Sequence, residues 1–319
     1  MSPTQKTTAF AKYAIFALLF NVLVILWGVF LRASKSGDGC GQYWLTCNGE
    51  LIPSAPEFKT VIEFSHRIST AIDGLVMLVL LLWAIRIWYR SRDRQTFQIL
   101  IATIGSFFFV FTEAAVGAGL VLTGNTAEAV TQERPFWAIG HLVNTFILLA
   151  FLTLTVWFAT GERRFSMRGR ALPLALIAVG VAALLLVGMS GSLAALSNML
   201  FPSGSIAEGI SKDFSESSNA ILRLRLSHPL LSIFTAVYLI FIAGHFRRKF
   251  AENAAVVRWS KWVSSLVMIQ VAFGAATLLT LGPIVMQLGH LLLADAVWVA
   301  FILLAASVLD NDHGRVSLP

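Results

Sequence analysis

Hydrophobic and polar positions alternate along this chain on the scale of whole helices. Eight apolar stretches of roughly 20 residues are separated by shorter segments that carry most of the charges. A helix of about 20 apolar residues crosses the ~30 Å hydrocarbon core of a bilayer. The stretches lie near 13–31, 66–85, 97–121, 141–159, 172–194, 226–244, 262–281 and 286–308. The pattern predicts an all-α polytopic membrane protein with eight transmembrane helices in a lipid bilayer.

The composition excludes a soluble or disordered chain. Of 319 residues, 57% are hydrophobic and 13% are charged, whereas a soluble domain is about 25% charged. High apolar content without long polar tracts also excludes disorder. The first stretch is followed by Arg32 and a Gly-rich loop. It lacks the short core and cleavage site of a signal peptide, so we interpret it as a retained span.

The distribution of positive charge predicts the orientation. The net charge is +7, and 16 of the 24 Lys and Arg residues fall on the side of the N-terminus when the eight spans cross a membrane. Loops with an excess of Lys and Arg stay in the cytoplasm. We therefore predict a plasma-membrane protein with both termini in the cytoplasm. The basic balance reflects topology and requires no nucleic-acid partner.

Three short matches in the same order indicate a tandem repeat. The pairs are 63–66 with 225–228 (EFSH, RLSH), 113–117 with 270–274 (EAAVG, QVAFG), and 139–142 with 288–291 (IGHL, LGHL). After four spans the chain has returned to its starting side, so the two units share an orientation, as in parallel repeats. We predict two pseudo-symmetric four-helix bundles, at 1–160 and 171–310, joined by a cytoplasmic linker at 161–170.

Four of the six histidines fall at equivalent places, in the first turn or so of each even-numbered span. They are His66, His141, His228 and His290. One such histidine would as readily be a helix-end residue bonded to a carbonyl, but four at one depth favour a function. Zinc usually takes three or four protein ligands, whereas a haem needs only two axial ligands from facing helices of an apolar bundle. The pattern predicts two haem sites, one in each half.

The halves differ beside these histidines. Glu63 lies on the His66 face of its helix, where the second half has Arg225. A carboxylate next to a haem can act as a general base or orient water, although it can also only stabilise a helix N-terminus. Arg223 and Arg225 suit haem propionates. We predict a reactive first half and an electron-transferring second half.

Three more acids lie within the spans. Asp73 continues the His66 face, Glu113 has Gln270 as its repeat mate, and Asp295 follows His290 by five residues. The role of Asp295 is open between helix packing and proton relay.

Two cysteines, Cys40 and Cys47, lie in the first outer loop. On an oxidising side of a membrane such a pair can form a disulfide, and both a structural and a redox role are open. The Cys-x-x-Cys-His spacing of covalently attached haem is absent from the sequence.

The run 37–49 (GDGCGQYWLTCNG), followed by 52–53 (IP) and 63–67 (EFSHR), resembles the haem A synthase family. The segments 140–141 (GH) and 289–295 (GHLLLAD) fit it as well, and the resemblance covers essentially the whole chain. It implies conversion of haem O into haem A, by oxidation of a ring methyl to a formyl group through successive hydroxylations.

The resemblance also implies a role for each site residue. His66 and His141 would flank the substrate haem, Glu63 would be the essential carboxylate, and His228 and His290 would ligate a haem b. Cys40 and Cys47 match the family's outer-loop pair and imply a disulfide. The candidate propionate partners are Arg67, Arg223 and Arg225.

The resemblance implies partners too. A haem O synthase (protohaem farnesyltransferase) would supply the substrate, and an electron acceptor of open identity would take the electrons. A homo-oligomer is compatible with the sequence. Some family members carry a second cysteine pair between spans five and six, where this chain reads NMLFPSG at 198–204, and we expect that loop to be held by packing alone.

Two other functions remain open from the sequence. A di-haem b membrane cytochrome that only transfers electrons would use the same four histidines, although their common depth and the single Glu63 argue against it. A transporter is suggested by the repeat alone, but helices broken at mid-span are not evident.

Overall fold

The computed structural model describes residues 3–161, 165, 169–215 and 220–310. This part of the chain contains ten helices and no strand longer than an isolated bridge. The helices are α1 (Pro3–Ala33), α2 (Phe58–Ser91), α3 (Arg94–Leu122), α4 (Arg134–Ala159), α5 (Ala171–Leu200), α6 (Ile206–Asp213), α7 (Ala220–Arg225), α8 (Ser227–Lys249), α9 (Ala254–Leu279) and α10 (Ile284–Leu309).

The eight predicted spans are confirmed within these residues. Eight helical segments are long and apolar enough to cross a membrane, the sixth of them running from Leu222 through α8. Most of the predicted linker at 161–170 lies outside the described residues, and so do both chain ends, with His313.

The helices are longer than their apolar cores. α2 begins at Phe58 and α4 at Arg134, so His66 and His141 lie about two turns inside their helices. The expectation of a first-turn position is wrong for these two residues. Apolar length marks the part of a helix that lipid can surround, whereas the helix itself continues through polar residues at its end.

Side-chain caps define the short connections between spans. Asp93 accepts a hydrogen bond from the Thr96 backbone N–H at the start of α3, and Asn253 does the same for Ala255 and Val256 at the start of α9. Such caps satisfy backbone donors that have no partner in the first helical turn. Because α3 and α9 are repeat mates, the two halves turn at equivalent places.

Each half is a group of four neighbouring spans. In the first half α1, α2, α3 and α4 contact each other in chain order, and α1 also meets α4. In the second half α5, α8, α9 and α10 do the same. Between the halves α4 packs on α5 and α10, and α1 packs on α10.

The helices α4 and α10 form the centre of the molecule. Trp298 of α10 is fully buried, stacks on Phe146 of α4 with ring centres 5.0 Å apart, and donates its Nε1–H to the Phe146 carbonyl at 2.7 Å. A buried indole satisfied in this way joins the halves by both apolar contact and a directed bond.

The long outer loop of the second half contains α6 and leads into α7. The apolar pattern does not reveal them, because α6 is short and polar and α7 has only six residues, two of them arginine. Arg225 holds this loop together. Its Nε lies 2.6 Å from Asp213 Oδ1, and its Nη2 donates to the Gly209 carbonyl at 2.8 Å. The loop is therefore stabilised by an ion pair and hydrogen bonds, and the expectation that packing alone holds it is wrong.

Candidate functional site

Three of the four histidine rings lie directly on a glycine of the neighbouring helix. A Cβ added to Gly28, Gly191 or Gly274 would stand 3.0, 2.9 or 2.8 Å from the Cε1 atom of the adjacent ring. The rings concerned are those of His66, His228 and His290 respectively. Any larger residue would push the ring away, so these glycines set the ring positions.

In the second half the two histidines face each other. The ring centres of His228 and His290 are 6.3 Å apart and the ring planes are nearly perpendicular, at 85°. A metal–imidazole bond is about 2 Å long, so two rings that bind one ion from opposite sides have centres roughly 6 Å apart. The observed spacing fits a haem iron between the rings, with His228 and His290 as axial ligands.

The His228 ring has a defined orientation. Its Nδ1 is 3.1 Å from Ser190 Oγ, and that hydroxyl donates to the Val187 carbonyl. The serine oxygen is therefore free to accept from an Nδ1–H, which leaves Nε2 as the nitrogen available to a metal. His290 Nδ1 is buried without a hydrogen-bond partner among the described residues.

The chemistry of the donor set also suits a haem. Nowhere in the described residues do three or more His, Cys, Asp or Glu side chains converge as a metal site would need. Two histidines per half are too few for an all-protein zinc site but sufficient for a porphyrin, which supplies four nitrogens itself.

In the first half His141 meets a carboxylate. Its Nδ1 lies 2.6 Å from Glu113 Oε1 of α3, close enough for an ion pair although outside the direction of a linear N–H···O bond. Asn144 Nδ2 donates to Glu113 Oε2 at 2.5 Å, and Thr145 Oγ1 donates to Oε1. Three side chains of α4 therefore converge on one acid of α3.

Glu63 is buried beneath the first outer loop. Its side chain is 3% exposed, its Oε2 accepts the Cys40 backbone N–H at 2.8 Å, and its Oε1 is 2.5 Å from Arg67 Nη2. The Arg67 guanidinium also donates to the carbonyls of Tyr43 and Thr46, at 2.7 and 2.8 Å. Both carboxylate oxygens are thus held in place by the loop and by Arg67.

The loop itself is closed by a disulfide between Cys40 and Cys47. Next to it, Gly39 packs so tightly on α2 that a Cβ would lie 2.3 Å from the Lys59 carbonyl carbon. The Thr60 hydroxyl donates to the Gly39 carbonyl at 2.8 Å. The disulfide loop is therefore docked on the start of α2, directly above the carboxylate that it binds.

Comparison with known proteins is consistent with this architecture. Residues 11–302 match the model of a family described as cytochrome oxidase assembly protein. The chain belongs to this family.

Individual relatives carry two different names. A protein named protoheme IX farnesyltransferase from Thermus thermophilus is 40% identical over 318 residues, covering 98% of this chain and 51% of the relative. A haem A synthase of Exiguobacterium sibiricum is 35% identical over 158 residues, covering 50% of this chain and 49% of the relative. One from Symbiobacterium thermophilum is 33% identical over 142 residues, covering 44% and 42%. The matches span about half the length of these curated relatives.

The remaining arginine candidates of this family member occupy different surroundings. Arg67 and Arg225 are engaged by Glu63 and Asp213, whereas Arg223 is exposed on α7. Arg32, which the sequence pattern does not single out, lies one turn beyond Gly28 on α1. Its carbonyl accepts the Lys35 N–H, but its guanidinium makes no hydrogen bond or ion pair among the described residues. It is a fourth candidate for an anionic substituent at the first-half site.

Two further acids lie deeper in the spans. Asn21 of α1 donates to Asp73 Oδ1 at 2.8 Å, which ties α1 to α2. Asp295 of α10 is 1% exposed, and neither of its oxygens has a hydrogen-bond partner among the described residues. Asp73 thus joins two helices through a hydrogen bond. Asp295 lies five residues after His290 in α10, which is more than one helical turn.

Outside the spans, exposed ion pairs link the outer loops. Lys35, just after α1, pairs with Glu128 of the α3–α4 loop. The adjacent Lys35 ammonium holds the pKa of the Glu128 carboxyl below its ordinary value. Both side chains are well exposed, so the contact contributes little to stability.

Proposed function

We propose that this chain is a haem A synthase that binds haem O in its first half and a haem b in its second half. The ring methyl of haem O is oxidised to a formyl group by successive hydroxylations. The observation that carries the proposal is the asymmetry of the repeat. Each half presents a histidine pair, but among the residues that the structure describes it is the first half that has a buried carboxylate one helical turn from a histidine of the pair. This carboxylate, Glu63, lies three residues before His66 and is bound by both the Cys40 N–H and Arg67.

In the first half His66 and His141 hold the substrate haem. The bound iron porphyrin supplies the redox chemistry. Glu63 lies one turn from His66, and its carboxylate is fixed by Arg67 and by the Cys40 N–H. A carboxylate held in this way accepts a proton from water or from the hydroxylated carbon without having to reorganise first.

In the second half His228 and His290 hold haem b. The Ser190 contact keeps the His228 Nε2 turned to the iron, and Gly191 and Gly274 fix the two rings. No carboxylate contacts either histidine of this half within the described residues. Two imidazole ligands without a neighbouring base suit electron transfer, which is the chemistry that a haem b held by His228 and His290 would supply.

The source of the substrate follows from its chemistry. Haem O is protohaem that carries a farnesyl-derived chain, so an enzyme of the protohaem farnesyltransferase class must supply it. The similarity to a relative that bears this name supports a working link between the two enzymes. The apolar chain favours delivery through the bilayer, where this protein lies.

The orientation is part of the proposal. The excess of Lys and Arg on one side of the eight spans supports cytoplasmic ends and a plasma-membrane location. The disulfide loop, α6 and α7 then lie on the opposite, oxidising side, where the Cys40–Cys47 bond is stable.

The test is to extract the haems from purified full-length protein and identify them by mass. Haem b together with haem O or haem A is the expected result. Two equivalents of haem b per chain, and neither of the other haems, would instead show a di-haem cytochrome that only transfers electrons.

A further inference from the structure

The two halves differ in what contacts the second histidine of each pair. In the first half His141 contacts the carboxylate of Glu113. Glu113 lies four residues before Gly117 in α3, as Gln270 lies four residues before Gly274 in α9. In the second half the His290 ring rests on Gly274. In the first half nothing lies within 4 Å of a Cβ at Gly117. The His141 ring is instead placed against Glu113, at 2.6 Å.

The carboxylate is itself held in position from α4. Asn144 Nδ2 reaches Oε2 at 2.5 Å and also donates to the Phe109 carbonyl at 2.9 Å, while the Thr112 hydroxyl donates to Asn144 Oδ1 at 2.6 Å. Thr145 Oγ1 donates to Oε1 of the same carboxylate. These bonds restrict the carboxylate to one rotamer, with Oε1 facing the imidazole.

The second half lacks every part of this arrangement. The positions that match Glu113, Asn144 and Thr145 are Gln270, Leu293 and Ala294. The Gln270 Oε1 and the His290 Nδ1 are both buried without a hydrogen-bond partner among the described residues. His141 Nδ1 makes no linear hydrogen bond either, but it has the Glu113 carboxylate at 2.6 Å, whereas no carboxylate contacts His290 in the part of the chain that the structure describes. The difference is therefore a coordinated replacement of three residues on two helices.

We propose that Glu113 is a positioning residue of the substrate-haem site, acting through His141. Its carboxylate lies 2.6 Å from His141 Nδ1 and, in the haem-bound site, would accept a hydrogen bond from the Nδ1–H. That bond would fix the tautomer and the ring orientation and would leave Nε2 to bind the iron of haem O. This inference rests on the proposed function for the assignment of His141 as a ligand. A carboxylate on the outer nitrogen makes the imidazole a stronger donor to the metal.

The two haems should therefore have different midpoint reduction potentials. A stronger axial donor stabilises the oxidised iron. A haem bound in the first half should therefore have a lower midpoint potential than a haem bound by two histidines without a carboxylate partner. His290 has no such partner, which leaves the second-half haem at a higher potential. This order of potentials would favour loss of electrons from a haem held by His66 and His141 to one held by His228 and His290, the direction that oxidation of a ring methyl requires.

The experiment uses Glu113→Gln in the purified full-length protein. The substitution keeps the length of the side chain and restores the residue found at the repeat position. A redox titration followed by visible absorbance should show the first-half haem shifted to a higher midpoint potential, with the second-half haem unchanged. The affinity for added haem O should fall about 10-fold or more, as is typical when an outer partner of a metal-bound histidine is removed.

A reciprocal pair of variants protects the test against a folding failure of Glu113→Gln. Gln270→Glu with Leu293→Asn and Ala294→Thr rebuilds the arrangement beside His290 and should lower the potential of the second-half haem. The double variant Leu293→Asn with Ala294→Thr lacks the acid and should leave that potential unchanged.

The outcomes separate this inference from the proposed function. A Glu113→Gln protein with parental potentials and parental haem O affinity would reduce Glu113 to a packing contact between α3 and α4, whether or not haem A is made. A parental protein that binds haem only in its second half would overturn the assignment of His141, and the proposed function with it. If the parental protein makes no haem A but Glu113→Gln still shifts the potential of the first-half haem, the positioning role of Glu113 would stand and the proposed synthase function would be overturned.

Discussion

At the scale of single residues, the position of each histidine ring depends on a neighbour that has no reactive group. Gly274 leaves just enough room for the His290 ring, because a Cβ there would stand 2.8 Å from Cε1. Gly117, its repeat mate, faces open space. The same residue type in the same register is therefore essential for ring placement in one half and dispensable in the other.

This contrast gives a matched pair of variants. Gly274→Ala should displace the His290 ring and remove most of the low-spin b-type absorbance per protein in membranes, as His290→Ala should. Gly117→Ala should leave the spectrum unchanged, since its new methyl group meets no atom within 4 Å. Full absorbance in Gly274→Ala, or in His290→Ala, would contradict the assignment of haem b to the second half.

Some of these residues could be predicted from the sequence and others could not. The four histidines and Glu63 stand out because ionisable groups are rare in apolar spans. The sequence does not single out Asn144, Thr145 and Gly28. Their importance depends on which helices face each other, and the sequence of an apolar helix says little about how that helix is rotated about its axis. The repeat does contain one signal for these glycines, because Gly28 and Gly191 precede His66 and His228 by nearly the same number of residues, 38 and 37.

At the scale of elements, the first outer loop and α2 form one unit around Glu63. The Cys40–Cys47 bond closes the loop, Gly39 docks it on α2, and Arg67 ties its carbonyls to the carboxylate. The eight spans supply the packing of the protein, so the loop adds little to global stability. Its contribution is to hold the Cys40 N–H against Glu63 Oε2.

Removing the disulfide should therefore affect activity more than folding. Cys40→Ser combined with Cys47→Ser should leave the amount of protein in the membrane near the parental level while lowering the yield of haem A. Immunoblots of membranes and haem extraction measure the two quantities. Lys35→Gln, which breaks only the exposed pair with Glu128, is the control and should change neither. Disappearance of the double variant from membranes would assign the bond a structural role.

The apolar pattern is sufficient for the spans but not for the elements between them. All eight spans follow from apolar length, because a bilayer requires about 20 predominantly apolar residues in every helix that crosses it. Apolar length does not predict the short helices α6 and α7 or the ion pair between Arg225 and Asp213. Specific side-chain contacts decide the structure of that outer loop. The helix starts at Phe58 and Arg134 differ from the apolar limits for the same reason.

At the scale of the whole molecule, two bundles with a common design have different surroundings for their histidine pairs. The central helices α4 and α10 carry one histidine of each pair and pack on each other through Trp298 and Phe146. The two candidate haem sites are therefore linked by a rigid, apolar contact. Glu63 and Glu113 lie in the first half, and their repeat mates in the second half are Arg225 and Gln270.

If the first half carries out the reaction and the second half only transfers electrons, Glu63→Gln should slow conversion without affecting the second-half haem. The substitution keeps the shape and part of the hydrogen bonding but removes the base, so conversion should slow by roughly 10²-fold or more while both haems still bind. Glu57→Gln, at an exposed position one helical turn or more before Glu63, is the control. The measurement is the ratio of haem O to haem A, with haem b per chain, in haem extracted from the purified variants. Haem O should accumulate in Glu63→Gln with haem b unchanged, and parental haem A production by Glu63→Gln would show that the carboxylate is not the catalytic base.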